Sequence, residues 1–442
     1  MKSCISYKGI KVLGLLLLFV TGCSLSSFSQ EGTHYTLDKL IYAAYVNYPY
    51  ASQLDLNESE RRESVKDLGV EWLPQVSVTG KTSYQSEISS LKIPGSVAQN
   101  FGLNIEGGEK WQYQGTVSLS QLLYDGGLNR TEKQLARTQG DIKSYQIKSS
   151  MLQIEDNIDH VFESILLNRE QIKIIKYQQK DLELRKKDIC MAVQNGIALK
   201  TSSQEIDADL IQLQQQETSL RMQLCQDFVQ LSSFTRLDLD TTTVLGFPKD
   251  TAVVAMDYTG RPDYQIFGSQ ILNSELSEKK LNQEFIPQLS FFANGYYGRP
   301  GLNVMDYSSH YSGLVGISLK WNIASLYDNV HKKKIERINR DLIKNEQSLF
   351  EINMDKQIKN LAIDQAKNRR LLDSDDRVVA IRLNVKDVAA VQLKNGSIML
   401  TDYMIKLNDV SQAMINKSIH RIELSMDRAR MKTLLNKNNE EQ

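Results

Sequence analysis

The hydrophobic positions of this chain follow two periods. In four short stretches they alternate. Residues 75–85 set Val76, Val78, Thr82 and Tyr84 against Gln75, Ser77, Thr79 and Lys81. Residues 112–121 set Tyr113, Val117 and Leu119 against Gln112, Gln114, Thr116 and Ser118. Residues 288–297 and 311–321 repeat the rule with Leu289, Phe291, Ala293 and Tyr297, then Tyr311, Val315, Ile317 and Leu319; Phe292, Leu314 and Gly316 depart from it. Period two predicts strands with one apolar and one polar face.

Elsewhere the apolar residues recur every three or four positions. Met151, Ile154, Ile158, Val161, Ile165, Ile172, Ile175, Leu182, Ile189 and Val193 share one seam, kept through polar Asn168, Gln179 and Lys186. That is a coiled-coil heptad pattern. Gly196 interrupts it; Ile206, Leu210, Leu213, Leu220, Leu224 and Leu231 resume it, predicting an antiparallel hairpin over about 128–235. In a second arm Leu371, Val378, Ile381, Val385 and Val388 precede Gly396, and Ile415, Ile419, Ile422 and Met426 follow, predicting a hairpin over about 328–436. The seven prolines, at 49, 74, 94, 248, 262, 287 and 300, all avoid these arms, as helix interiors require. The ascending helix of the first arm comes to roughly 65 residues, or ~100 Å. A globular domain has no need of such reach.

The pattern occurs twice. "EWLPQVSVTGKTSY" (71–84) and "EFIPQLSFFANGYY" (284–297) are offset by 213, as are Pro49 and Pro262. The hairpin tips correspond at an offset of 200, Asn195, Gly196 and Thr201 mapping to Asn395, Gly396 and Thr401. The expected organisation is a leader (1–22), a linker (23–34), a first repeat (35–245), a linker (246–260), a second repeat (261–437) and a tail (438–442).

The N-terminus adds a compartment. Lys2, Lys8 and Lys11 precede the short apolar run Val12–Val20, the layout of an export signal. It ends in "VTGC", which resembles a lipobox with Cys23 as the acylated residue; cleavage after "SFS" (27–29) is the alternative. Lys+Arg and Asp+Glu are both 53 among 442 residues, so nothing favours nucleic acid or another polyanion as partner. Cys190 and Cys225 lie in helical stretches too far apart along a hairpin for a disulfide and read as small core residues. The five histidines show no metal-ligand spacing, and no nucleophile elbow, P-loop or dinucleotide fingerprint occurs. No enzyme, metal or cofactor is expected.

Each strand is about ten residues long, enough to cross a bilayer when tilted. Aromatics gather near the strand ends: Trp72, Tyr84, Trp111, Tyr297, Tyr311 and Trp321. Interfacial girdles have that character. Open sheet edges are not tolerated in hydrocarbon, and known barrels begin at about eight strands. Four strands therefore require an oligomer; a dimer gives eight and a trimer twelve, and the count does not choose between them.

Taken together, "YTLDKLIYAAYVNYP" (35–49), "RPD" (261–263), "WLPQ" and "FIPQ" before the first strand of each pair, "LYDGG" (123–127) and "LYDN" (326–329) after the second, and the two glycine tips resemble the TolC-like outer-membrane efflux protein family. The resemblance covers essentially the whole mature chain. It implies a mainly α fold with membrane β: long antiparallel coiled-coil helices plus four strands per protomer. It implies a homotrimer with a 12-stranded barrel in outer-membrane lipid and a helical tunnel in the periplasm, docked to a periplasmic adaptor and an inner-membrane pump. The implied function is the exit duct of a tripartite efflux system. A duct for type I protein secretion has the same fold, and a lipid-tethered coiled coil without a pore is a third, weaker reading. The resemblance also implies that Asn195, Gly196, Thr201, Asn395, Gly396 and Thr401 meet the adaptor and that Asp402, six after Gly396, faces a periplasmic gate. A second gate aspartate is replaced by Ile405, and the first tip carries Ser202 and Glu205 instead. Asp402 reads equally as a helix N-terminal carboxylate.

Overall fold

The computed structural model describes residues 34–87, 109–196, 199–248, 257–303 and 308–435. The expected leader, Cys23 and the tail lie outside them. The elements in order are α1 (Leu37–Asn47), α2 (Tyr50–Val70), β1 (Gln75–Tyr84), β2 (Trp111–Tyr124), α3 (Leu128–Gln194), α4 (Lys200–Thr235), α5 (Pro262–Gln283), β3 (Gln288–Arg299), β4 (His310–Lys320), α6 (Ser325–Lys394) and α7 (Leu400–Leu434).

The sequence repeat becomes a structural one. Helix α2 ends at Val70 and α5 at Gln283, and β1 and β3 begin at Gln75 and Gln288, so the offset of 213 survives at both boundaries. Pro74 and Pro287 force the change, since neither can continue a helix and each holds its predecessor extended. The freed carbonyls find side-chain donors. Gln75 Nε2 donates to Val70 O at 2.9 Å. Gln121 Nε2 donates to Trp72 O at 2.5 Å, and Trp321 Nε1 to Phe285 O at 3.0 Å. These last two bonds occupy equivalent places in the repeats, with different donors.

The strands form one antiparallel sheet, β1-β2-β3-β4, with β1 and β4 at its edges. Its register joins like to like: Val76 faces Leu119, Val78 faces Val117, Leu119 faces Ala293 and Ala293 faces Val315. One face is therefore continuously apolar, yet Val78 and Val315 are 76% and 70% exposed. Phe292 and Gly316 pair on the opposite, polar face. A Cβ at Gly316 would meet the Phe292 ring at 2.9 Å, so these two departures from alternation accommodate each other.

Helices α3 and α6 contain 67 and 70 residues, about 100 Å each. Below the sheet the backbone neighbours run α2–α3–α5–α6; toward the tips they run α4–α3–α7–α6. Shorter helices thus stack end to end beside the long ones, and their junctions are stitched by side chains. Asn47 Nδ2 donates to Thr235 O at 3.2 Å. Buried Arg261 donates from Nη1 to Thr433 O and Leu434 O, both at 3.2 Å, while its Nη2 pairs with Asp263 at 2.7 Å. Each answers the unpaired carbonyls at a helix C-terminus.

The main core joins Ile158, Phe162 and Ile165 of α3 to Phe228 and Leu231 of α4, Ile422 and Met426 of α7, and Leu40 of α1. It confirms the seam of the first arm. The seam expected on the second arm holds on α7, where Ile422 and Met426 are fully buried, and is corrected on α6. Val378, Ile381 and Val388 are exposed, and α6 instead buries Met354, Ile358, Asn368, Lys386 and Ala389. The apolar set read from the sequence lies roughly a quarter-turn or more around the helix from the packed face. Cys225 is also corrected: it is exposed, because Leu224 and Phe228 take the inner face of α4. Cys190 is half-buried, with Sγ 3.6 Å from Ser203 Oγ. Among the described residues no helix is long and apolar enough to cross a membrane.

Candidate functional site

The candidate functional parts lie at the two ends of the long helices: a strand wall at one and paired tips at the other. The tips are near copies. Asn195 caps α3 at φ −86°, and Asn395 caps α6 at φ −87°. Gly196 and Gly396 follow at φ +72° and +70°. Their N–H groups donate to Val193 O and Leu393 O, both at 3.0 Å. A Cβ at either glycine would meet nothing within 4 Å, so the left-handed backbone, not crowding, calls for glycine. Thr201 and Thr401 are exposed in the first turns of α4 and α7.

Asp402 is exposed in the first turn of α7. Its Oδ2 accepts the Met399 N–H at 3.2 Å, satisfying a donor at the helix start. The N-terminal carboxylate role is thus present in the protomer. The same side chain borders a groove between α6 and α7 with Val388, Gln392 and Lys406. Ser202, its counterpart in the first repeat, leaves the Leu199 N–H without such a carboxylate partner among the described hydrogen bonds.

Just inside the tips lies a buried polar knot that sequence reasoning missed. Lys386 of α6 donates to Tyr177 Oη at 3.1 Å and Asp181 Oδ1 at 3.3 Å, both on α3. Tyr403 of α7, fully buried, donates its hydroxyl to Asp181 Oδ2. Burial and the bond to Asp181 raise the Tyr403 phenol well above its ordinary pKa. Burial opposes charge on Lys386, but hydrogen bonds to Asp387 and Tyr177 and the Asp181 carboxylate outweigh it and raise its pKa. The knot ties the second hairpin to the first. Lys386 and Tyr403 stand more than 200 residues from Asp181, beyond any local pattern. One signal was available. Lys186, the equivalent of Lys386, pairs with Asp207 of its own hairpin at 2.5 Å; the equivalent of Asp207 is Leu407, and Lys386 pairs instead with its neighbour Asp387 at 3.0 Å and with Asp181 of the other hairpin at 3.3 Å.

Each hairpin also carries one buried amide–carboxylate pair at matching places. Asn168 Nδ2 donates to Asp227 Oδ2 at 2.8 Å, and Asn368 Nδ2 to Asp427 Oδ2 at 3.1 Å. Burial raises the Asp427 pKa to about 6, with Asp364 and Glu423 adding to the rise while Asn368 and Arg430 oppose it. Among the described residues no three His, Cys, Asp or Glu side chains gather to hold a metal.

No protein-family model matches the sequence, and no curated protein matches it. Solved structures do match. The outer membrane protein VceC of Vibrio cholerae superposes with a TM-score of 0.68 at 11% identity, over 90% of this chain and 96% of that one. CusC gives a TM-score of 0.73 at 11% identity, over 91% and 92%. This is the TolC-like fold. The open state of the MtrE outer membrane channel of Neisseria gonorrhoeae gives 0.68 at 12% identity, over 90% and 88%.

Proposed function

We propose that three copies of this chain close a 12-stranded barrel in the outer membrane and form the exit duct of a tripartite efflux system. The supporting observation is the four-stranded sheet with its exposed apolar face and two free edges, set above helices of about 100 Å. In hydrocarbon both edges must be paired. The order β1-β2-β3-β4 lets β4 of one copy meet β1 of the next antiparallel. Two copies would give eight strands, whose interior side chains fill; a duct in line with the helices needs the wider ring. Val76, Val78 and Val315 then face lipid, and Ser77, Thr79 and Ser118 face water.

The tips at Gly196 and Gly396 meet a periplasmic adaptor, which joins the duct to an inner-membrane pump. Asp402 stands at the periplasmic mouth, and acylation of Cys23 adds a lipid anchor. Purified protein in planar bilayers tests the duct: single-channel conductance is expected, and its absence in both wild type and tip variants counts against a pore. Mass spectrometry of the wild type and Cys23→Ser tests the anchor, which predicts an acyl mass in the first and none in the second.

A further inference from the structure

The four strands carry Lys81, Arg299 and Lys320 but no aspartate or glutamate. The chain as a whole balances 53 acidic residues against 53 basic ones, so the strand wall departs from the rest of the molecule. The register assigns each cation a face. Lys81 lies opposite Gln114 and Lys320 opposite Gln288, on the polar face that also carries Ser77, Thr79 and Ser118. His310, with Nε2 2.8 Å from Ser308 Oγ, shares that face. Arg299 lies opposite Tyr113 on the apolar face and is ion-paired with Glu109, just before β2. Both lysines are exposed, and neither makes an ion pair among the described residues.

A lysine at mid-membrane on the lipid side of a barrel costs about 2–4 kcal/mol; on the opposite face it stays in water. The two lysines stand at different depths. Lys81 shares a row of the sheet with His310 through Gln114 and Gly298. His310 and Lys320 are the first and last residues of β4, about 34 Å of strand apart. That exceeds the Debye length of ~10 Å at 0.1 M salt, so the two act as separate charges. Three copies make two rings of lysine along one bore. A wall of low dielectric lined by one sign of charge focuses its field into the water it encloses. Asp402 stands at the other end of helices about 100 Å long and does not reach this field.

We infer that the bore of the strand wall favours anions over cations through Lys81 and Lys320, and that small anionic solutes are the class of cargo it passes most readily. This rests on the duct proposed above and adds the sign of charge the duct prefers.

Reversal potentials of the full-length chain in neutral planar bilayers, under a tenfold KCl gradient, test it. The wild type should favour chloride over potassium by about threefold at low salt. Lys81→Gln with Lys320→Gln should bring that ratio close to one, and Lys81→Glu with Lys320→Glu should turn the preference to potassium. Either lysine changed alone should give part of the shift. Arg299→Gln with Glu109→Gln removes the cation of the other face together with its partner and should keep the wild-type ratio. Raising the salt toward about 1 M, where the Debye length falls to ~3 Å, should shrink the preference. A wild type that favours potassium, or a ratio that neither double lysine variant moves, overturns the anion preference and leaves the duct standing. Absence of conductance in wild type and tip variants alike overturns both.

Discussion

The two hairpins are built from one pattern and occupy different positions. Helix α3 is flanked on both sides within its own chain, by α2 and α4 and by α5 and α7. Its heptad seam is buried, with Ile158, Ile165 and Leu182 fully enclosed. Helix α6 is flanked on one side only, and Ile381 remains 62% exposed. The same spacing of isoleucine, leucine and valine therefore means a folded core in one repeat and an uncovered edge in the other. Heptad spacing marks a face suited to a partner helix; it does not show whether the chain itself covers that face.

The sharpest way to break this contrast is to remove equivalent bulk from each. Ile165→Ala should destabilise the protomer by about 2–5 kcal/mol, read as an earlier urea midpoint. Ile381→Ala should leave that midpoint nearly unmoved and, in the proposed ring, raise the concentration needed to hold copies together, read by native mass. Equal losses of protomer stability would erase the distinction between the hairpins.

The junctions provide the next largest difference. Arg261→Ala removes two bonds to helix-end carbonyls and leaves Asp263 without its partner, for a loss of about 3 kcal/mol. Asn47→Ala at the first junction removes one neutral bond, for about 1 kcal/mol. Thermal unfolding of the two variants should rank them in that order.

A third difference lies in the amide–carboxylate pairs. The folded pKa of Asp427, about 6, exceeds its free value of 3.8. The folded hairpin therefore holds a proton that the unfolded chain releases. Its contribution to stability is full below about pH 4 and is lost as the pH rises through 6, an effect of up to about 3 kcal/mol. Asn368 Oδ1 is buried without a hydrogen-bond partner, so a protonated Asp427 has an acceptor beside it. Urea midpoints between pH 4 and 7 should fall for the wild type and flatten for Asp427→Asn.

The smallest effects are expected at the tips. Gly196→Ala and Gly396→Ala should each cost about 1 kcal/mol, and equally, because their φ angles differ by only 2°. Asp402→Ala should cost about 0.5–1 kcal/mol through the lost cap, with Ser202→Ala nearly neutral. A rise in basal conductance for Asp402→Ala would add the gate role; unchanged conductance would leave only the cap.

Much of this was legible in the chain. Alternation placed each strand start within a residue of its observed position, and the glycine tips fell where both helices turn. Proline before β1 and β3 marked the ends of α2 and α5, because its constraint is local. What was missed depends on distant residues. The face buried by α6 is set by α5 and α7, so Ile381 and Lys386 could not be sorted into outside and inside from spacing alone. The Lys386–Asp181–Tyr403 knot joins different repeats. Cys225 looked internal because cysteine is so often buried, but its helix presents one face to its own chain and another to the outside.

The even number of strands has a consequence for assembly. Four strands leave the first and last pointing in opposite directions, so in the proposed ring every boundary between identical copies would repeat the pairing used within each copy. A chain with three such strands would have to introduce a parallel seam at each junction. A chain with two would keep the alternation, but twice as many molecules would have to converge to enclose the same bore. In that ring duplication would halve the number of independent arrivals, and it would free one half of the chain to specialise as hub while the other becomes rim.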